Sequence, residues 1–203
     1  VNNELVAILG NFINRVMVLS HKYFDGQVLM GSELTASDEQ VLQELAAFPA
    51  LIQQSLSQYR FREALAHFMN AARRGNKYLA DEEPWKVIKS DEQRVKTVLF
   101  VASQIVANLA TLGQPFLPFT STKIFEMLNL SAKSWDEAGK LNLLESGHQL
   151  GETQLLFDKI TDEQVAFQLA KLAEAKTRNT VAAPSAAQKA NVNFDEFMKM
   201  DIR

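Results

Sequence analysis

The sequence predicts an all-α protein: a bundle of five to seven helices joined by one long wrapping loop. Three observations predict it. Eight Gly and five Pro among 203 residues leave few natural breaks, which favours long helices. Apolar side chains recur at three- and four-residue steps through several long runs. Polar capping patterns stand just ahead of some of these runs.

The first helix is expected to start near Asn2 or Asn3, both good N-cap residues, and to end at Asp25 and Gly26. Leu5, Ile8, Leu9, Phe12, Val16, Leu19 and Tyr23 form its core-facing stripe, leaving Asn11 and Arg15 on a flank that meets solvent. A loop spans 27–36. Ser37 with Gln40 forms a capping box, backed by Asp38 and Glu39, and opens a second helix running to about Ser57. Pro49 predicts a kink within it, because its ring clashes with the preceding turn. A third helix covers 60–79, ends in the Asp81-Glu82-Glu83-Pro84 run and leads to a short turn carrying Trp85. The longest periodic run, 91–112, is closed by Gly113 and Pro115, and 118–128 adds a short helix. Positions 129–160 have no strong period and hold Trp135, Gly139, Gly147 and Gly151, which predicts an ordered wrapping loop with Trp135 as packing. Thr161 and Gln164 cap a last helix to about Lys176. The Ala-rich stretch that follows looks like a linker. It leads to a small apolar island of Phe194, Phe197, Met198, Met200 and Ile202.

Composition narrows the function. Apolar residues at 47% and charged residues at 22% describe an ordinary globular chain rather than a disordered one. Without Cys, disulfides and thiolate metal sites are excluded within this segment. That absence fits a reducing compartment, and no secretory signal opens the chain, so a cytoplasmic location is expected. The most membrane-like stretch, 98–119, carries Ser103, Gln104, Asn108, Thr111 and Gln114 and is punctuated by Pro115 and Pro118. It predicts a buried central helix and no membrane partner. His21, His67 and His148 have no metal-ligand spacing, and the paired acids sit at helix starts, so no catalytic or metal-binding residue is expected. The net charge of −3 is unevenly spread. Arg60, Arg62, Arg73, Arg74 and Lys77 face only Glu63 within 60–78, whereas 136–163 holds seven acids against two bases. A nucleic acid would therefore meet the N-terminal half.

Asn11 and Arg15 lie one helical turn apart, so both can reach the same small object. An Asn amide donates and accepts, an Arg fork donates, and an indole such as Trp85 supplies a stacking face. Together they are what reading an unstacked base requires. By residue type alone, such a pair is more often solvated and such a Trp more often core. The ordered words around them reverse that expectation. Gly10-Asn11-Phe12-Ile13-Asn14-Arg15, Tyr23-Phe24-Asp25-Gly26, Asn76-Lys77-Tyr78, Pro84-Trp85-Lys86 and Phe157-Asp158-Lys159-Ile160 resemble, in order and spacing, the anticodon-binding helical domain of methionyl-tRNA synthetases.

The resemblance implies that residues 1–172 form that helical domain of the class I synthetase type. Asn11, Arg15 and Trp85 would contact the CAU anticodon of methionine tRNA. Beside them, Asn14 would either support Arg15 or cap a neighbouring helix, and Asn76 and Tyr78, close in sequence to Trp85, are expected to shape its pocket. For Arg73, Arg74 and Lys77, phosphate contact and plain solvation stand as equal alternatives. Residues 173–191 would be the linker, and 192–203 resemble the opening of an appended oligonucleotide-binding barrel. The His-Ile-Gly-His and Lys-Met-Ser-Lys-Ser signatures of the family's catalytic domain are absent. That domain is expected before Val1, with ATP as its cofactor and zinc as a second candidate, and no cofactor is expected in this segment. The parent is thus expected to be a methionine–tRNA ligase, with this segment inactive alone and monomeric, and the parent a homodimer through the barrel. Two alternatives stand beside it: the corresponding domain of a related class I synthetase for cysteine or a branched aliphatic amino acid, or a helical protein-interaction module.

Overall fold

In the computed structural model, which describes residues 1–181 and 193–199, the chain enters as a π-helical stretch, Asn2–Gly10, running directly into α1 (Asn11–Phe24). The wider turn of the first segment was not expected, since Leu5, Ile8 and Leu9 fit either period. Asp25 (φ 51) and Gly26 (φ 78) turn the chain into a two-residue strand, β1 (Gln27–Val28). Next come α2 (Ala36–Ser57), α3 (Phe61–Glu82), the single turn α4 (Pro84–Val87), α5 (Glu92–Gly113) and α6 (Pro118–Met127). A 3-10 turn at Trp135–Glu137 and strand β2 (His148–Gln149) punctuate the wrapping loop. α2 continues through Pro49 as one helix.

α5 is the centre of the first compact unit, Val1–Lys159, and packs against α1, α2, α3, α4 and α6. It is long and apolar enough to cross a membrane, but 89% of that apolar window is buried inside the fold. Its polar residues explain why a water-free helix carries them. Gln104 donates to the Leu144 carbonyl (2.6 Å) and accepts from the Leu143 and Leu144 amides (3.0 and 3.2 Å). Asn108 donates to the Lys140 carbonyl (2.9 Å) and accepts from the Gly139 amide (2.6 Å). A loop with only two residues in a ladder must satisfy most of its backbone groups elsewhere, and α5 supplies partners for 139–144. Two of the three His residues do similar work: His21 Nε2 meets the Gly151 carbonyl at 2.9 Å and His148 Nε2 the Leu128 carbonyl at 2.6 Å. Trp135 packs against the core and donates to Gln53 (3.4 Å). The antiparallel pairing of β1 with β2 was not expected, because two residues are too short to show a period.

The start of α2 departs from expectation. The cap is Thr35, not Ser37, and the reciprocal acid is Asp38. The Thr35 amide donates to Asp38 Oδ2 at 2.8 Å. Two overlapping capping patterns exist in the sequence, and distant partners decide between them. Asp38 is fully buried, where Arg94 of α5 and Tyr78 of α3 both reach it.

Close approach sets α1 against α3. A Cβ built on Gly75 would lie 2.5–3.0 Å from three ring atoms of the buried Phe12. Ala is the better helix former by about 1 kcal/mol, yet overpacking a core costs roughly 1–3 kcal/mol. Gly75→Ala is therefore expected to lower the melting midpoint, against its helix propensity; thermal unfolding followed by circular dichroism checks the sign. Gly10 has a milder version of the same constraint, with the Phe157 ring 3.1 Å from a notional Cβ.

The second unit, Ile160–Arg203, holds α7 (Asp162–Val181) and α8 (Phe194–Phe197). The Thr161 amide and Gln164 make the expected cap (3.0 Å). α7 runs through the boundary expected at 172, because its Ala-rich end favours helix as much as linker. Asn193 and Glu196 form a capping box on α8. Met200 and Ile202 of the apolar island, and most of the expected linker, lie outside the described residues.

Candidate nucleic-acid interface

The buried face of α1 consists of Phe12, Ile13, Val16, Met17, Ser20 and Phe24, and this fixes where its flank points. Asn11 is exposed and Arg15 half-buried. Neither Asn11 nor Asn14 spends its side-chain amide on a hydrogen bond among the described residues. Both remain available to an external partner.

Trp85 arrives from a distant part of the sequence, on α4. α3 ends at Glu83 in the left-handed region (φ 41), and Pro84 starts α4 at a position where its missing amide costs nothing. Pro84 is buried, whereas the Trp85 ring is half-buried and packs against the core. The guanidinium carbon of Arg15 lies 4.5 Å from the centre of that ring. A cation over an indole at this distance is a favourable contact, worth about 0.5–2 kcal/mol depending on solvent exposure. Arg15 and Trp85, seventy positions apart in sequence, thus meet, and Asn11 lies one helical turn before Arg15 on α1. The contact also keeps the Arg15 fork beside an aromatic face.

The expected supporting residues divide differently. Asn76 donates to the Ile8 carbonyl (2.8 Å) and to its own helix at Ala72 (3.1 Å), tying α3 to the backbone just ahead of Asn11. It supports α1, not Trp85. Tyr78 corrects the expectation that it shapes the Trp85 pocket: it is buried, and its hydroxyl donates to Asp38 Oδ1 at 2.5 Å.

The expected excess of positive charge also shrinks in three dimensions. Arg73 pairs with Glu4 (2.6 Å), Arg74 with Glu44, and Lys77 with Asp81 (2.8 Å). Two of these acids come from other helices, which a count along the sequence omits. Such exposed pairs are worth only about 0–1 kcal/mol, so a phosphate could still compete for each cation. An apolar groove of about 680 Å³ between Leu5, Leu65, Met69 and Phe116 contains none of Asn11, Arg15 and Trp85. Among the described residues no cluster of acids and histidines could hold a metal ion.

Sequence reasoning missed the polar cluster of Asp38, Tyr78, Glu82 and Arg94. Arg94 donates through Nη1 to Asp38 Oδ2 (2.5 Å) and through Nη2 to Asp38 Oδ1 (2.9 Å) and Glu82 Oε2 (2.6 Å). Burial pushes the Asp38 carboxyl up, but the hydrogen bonds from Arg94, Tyr78 and the Thr35 amide outweigh it and hold the group below its ordinary value. Burial, and then the Asp38 carboxylate, push the Tyr78 phenol up. The only sequence signal was an acid in the capping box of α2, which by itself reads as a helix start.

The chain as a whole is similar to known proteins. A family model described as the anticodon binding domain of methionyl tRNA ligase matches residues 28–177, a range that includes Trp85 and starts after Asn11 and Arg15. The whole chain is 55% identical to part of a methionine–tRNA ligase of Cytophaga hutchinsonii and 51% identical to part of one from Christiangramia forsetii. In each case it spans 30% of the relative's length. Among solved structures, the apo form of Mycobacterium tuberculosis methionyl-tRNA synthetase superimposes with a TM-score of 0.71 at 23% identity, covering 79% of this chain and 33% of that one. The same synthetase in complex with methionyl-adenylate gives 0.70 at 24% identity, covering 78% and 32%. At such identities the likeness establishes the helical fold.

Proposed function

The chain belongs to the family of anticodon-binding domains of methionyl-tRNA ligases, and from this we propose that it grips the CAU anticodon of methionine tRNA. The observation that carries the reading is the Arg15 guanidinium held over the half-buried Trp85 ring. Asn11 stands one turn away with its amide uncommitted.

Cytosine presents two acceptors and one amino donor on its pairing edge. The Arg15 fork donates to the acceptors, and the Asn11 amide can accept from the amino group or add a donor. Trp85 supplies stacking, worth about 1–3 kcal/mol per base and nearly indifferent to sequence. Selection therefore falls to the polar pair. Because Arg15 already lies over the indole, a base must either stack on the guanidinium or take its place.

In the parent protein, a catalytic domain of the same chain uses ATP to join methionine to the far end of that tRNA. Binding energy gathered at the anticodon positions a reactive end elsewhere, so recognition and chemistry are separated in space. The test is direct. Stem-loops differing only in the anticodon are titrated against the protein, and CAU is expected to bind tightest, with affinity falling as salt rises because phosphate contacts release counterions. Equal affinity for every anticodon, or affinity flat with salt, overturns the reading.

A further inference from the structure

We propose that Glu82 and Arg94 are positioning residues of the base-reading site: their ion pair closes the corner between α3 and α5 and so holds the Trp85 ring beside Arg15. The proposal rests on the anticodon-reading function above. α4 is four residues long, too short to be stable as a helix by itself. It is entered through a left-handed residue, Glu83, and left through the turn made by the Ser90 and Asp91 amides on the Val87 carbonyl (both 2.9 Å). Trp85 is therefore carried by a corner whose two ends need fixing from outside.

Arg94 fixes them. It stands in the first turn of α5 and reaches back to Glu82 in the last turn of α3, with Nη2 to Oε2 at 2.6 Å. Both side chains are largely covered, at 15% and 18% exposure, so water screens the pair little. The same guanidinium is forked onto Asp38, which is fully buried and also held by Tyr78. That end of the clasp is thereby anchored to the body of the bundle.

Charge balance makes Glu82 informative. Asp38 alone neutralises Arg94, so Glu82 leaves the cluster with one surplus negative charge. An acid near a polyanion site weakens binding by charge alone. Geometry and charge thus predict opposite signs for Glu82→Gln. The clasp requires that loss of the carboxylate loosens Trp85 and weakens binding, while simple repulsion requires that binding tightens.

The experiment uses the full 203-residue chain carrying Trp135→Phe, which leaves Trp85 as the single tryptophan. Glu82→Gln is expected to raise quenching of Trp85 by acrylamide, a neutral quencher that the change in charge does not attract, in the free protein. It should weaken binding of a CAU stem-loop about five- to tenfold, part of the stacking contribution of one base. Its melting midpoint should stay close to the parent's, because Asp38 still satisfies Arg94. Arg94→Lys is the second variant: it keeps the charge but cannot fork to both acids, and should shift both readouts the same way. Unchanged quenching, or tighter binding by Glu82→Gln, overturns the clasp. Raised quenching with unchanged affinity upholds the clasp and instead removes Trp85 as a base platform, which overturns the proposed function.

Discussion

Replacing Trp85 with alanine is expected to weaken binding of a CAU stem-loop by about 1–3 kcal/mol, the contribution of one stacked base. That is on the order of 10- to 100-fold in affinity. In the full-length parent, charging of tRNA should fall by a similar factor while ATP-dependent activation of free methionine stays nearly intact. Trp85 also packs against the core, so the alanine variant will lose some stability. Trp85→Phe separates the two effects, since it keeps a ring for packing and stacking but gives a weaker partner for Arg15. Pyrophosphate exchange and aminoacylation measured on one preparation check the split. Equal loss of both activities would point to a folding defect and withdraw Trp85 from the site.

The largest effect on stability is expected at Asp38. It is buried and accepts from Arg94, Tyr78 and the Thr35 amide, so removing its charge strands a guanidinium with only Glu82 as its acid. Breaking such a buried pair costs about 3–5 kcal/mol. For a chain of this size Asp38→Asn should then lower Tm on the order of 10 °C. The pH dependence has a definite sign. Because the folded-state pKa of Asp38 lies below its ordinary 3.8, its stabilisation is fully present above that value. It is lost as pH falls through the lower folded value. The gap between parent and Asp38→Asn should therefore be constant near neutrality and shrink below about pH 4. Urea unfolding across that range is the check, and a gap unaltered by acid would show that the carboxylate's charge is not what stabilises the cluster.

The helices were legible because their signals are local. The stripe from Leu5 to Tyr23, the run ending at Gly113 and the start at Pro118 each fix an element without reference to anything distant. What the sequence could not show depends on partners far along the chain. The choice of Thr35 over Ser37 as a cap is settled by Arg94 and Tyr78. The ribbon of β1 and β2 joins residues some 120 positions apart through two residues on each side. The basic segment at 60–78 gives up part of its excess to Glu4 and Glu44, which lie outside it. The candidate site has the same character. Asn11 and Arg15 could be placed on one face from helical spacing, but nothing in periodicity brings Trp85 to them. Family likeness alone suggested that meeting, and the geometry places the ring 4.5 Å from the Arg15 guanidinium carbon.

A double-mutant cycle addresses the base-reading role of that spot most directly. Arg15→Gln is combined with replacement of the first anticodon base, cytosine by uracil, and the four stem-loop affinities are measured at one salt concentration. If Arg15 reads the cytosine edge, the two changes interact by at least about 1 kcal/mol, as contacting groups do. Additivity within about 0.3 kcal/mol would mean that Arg15 and the first base never meet.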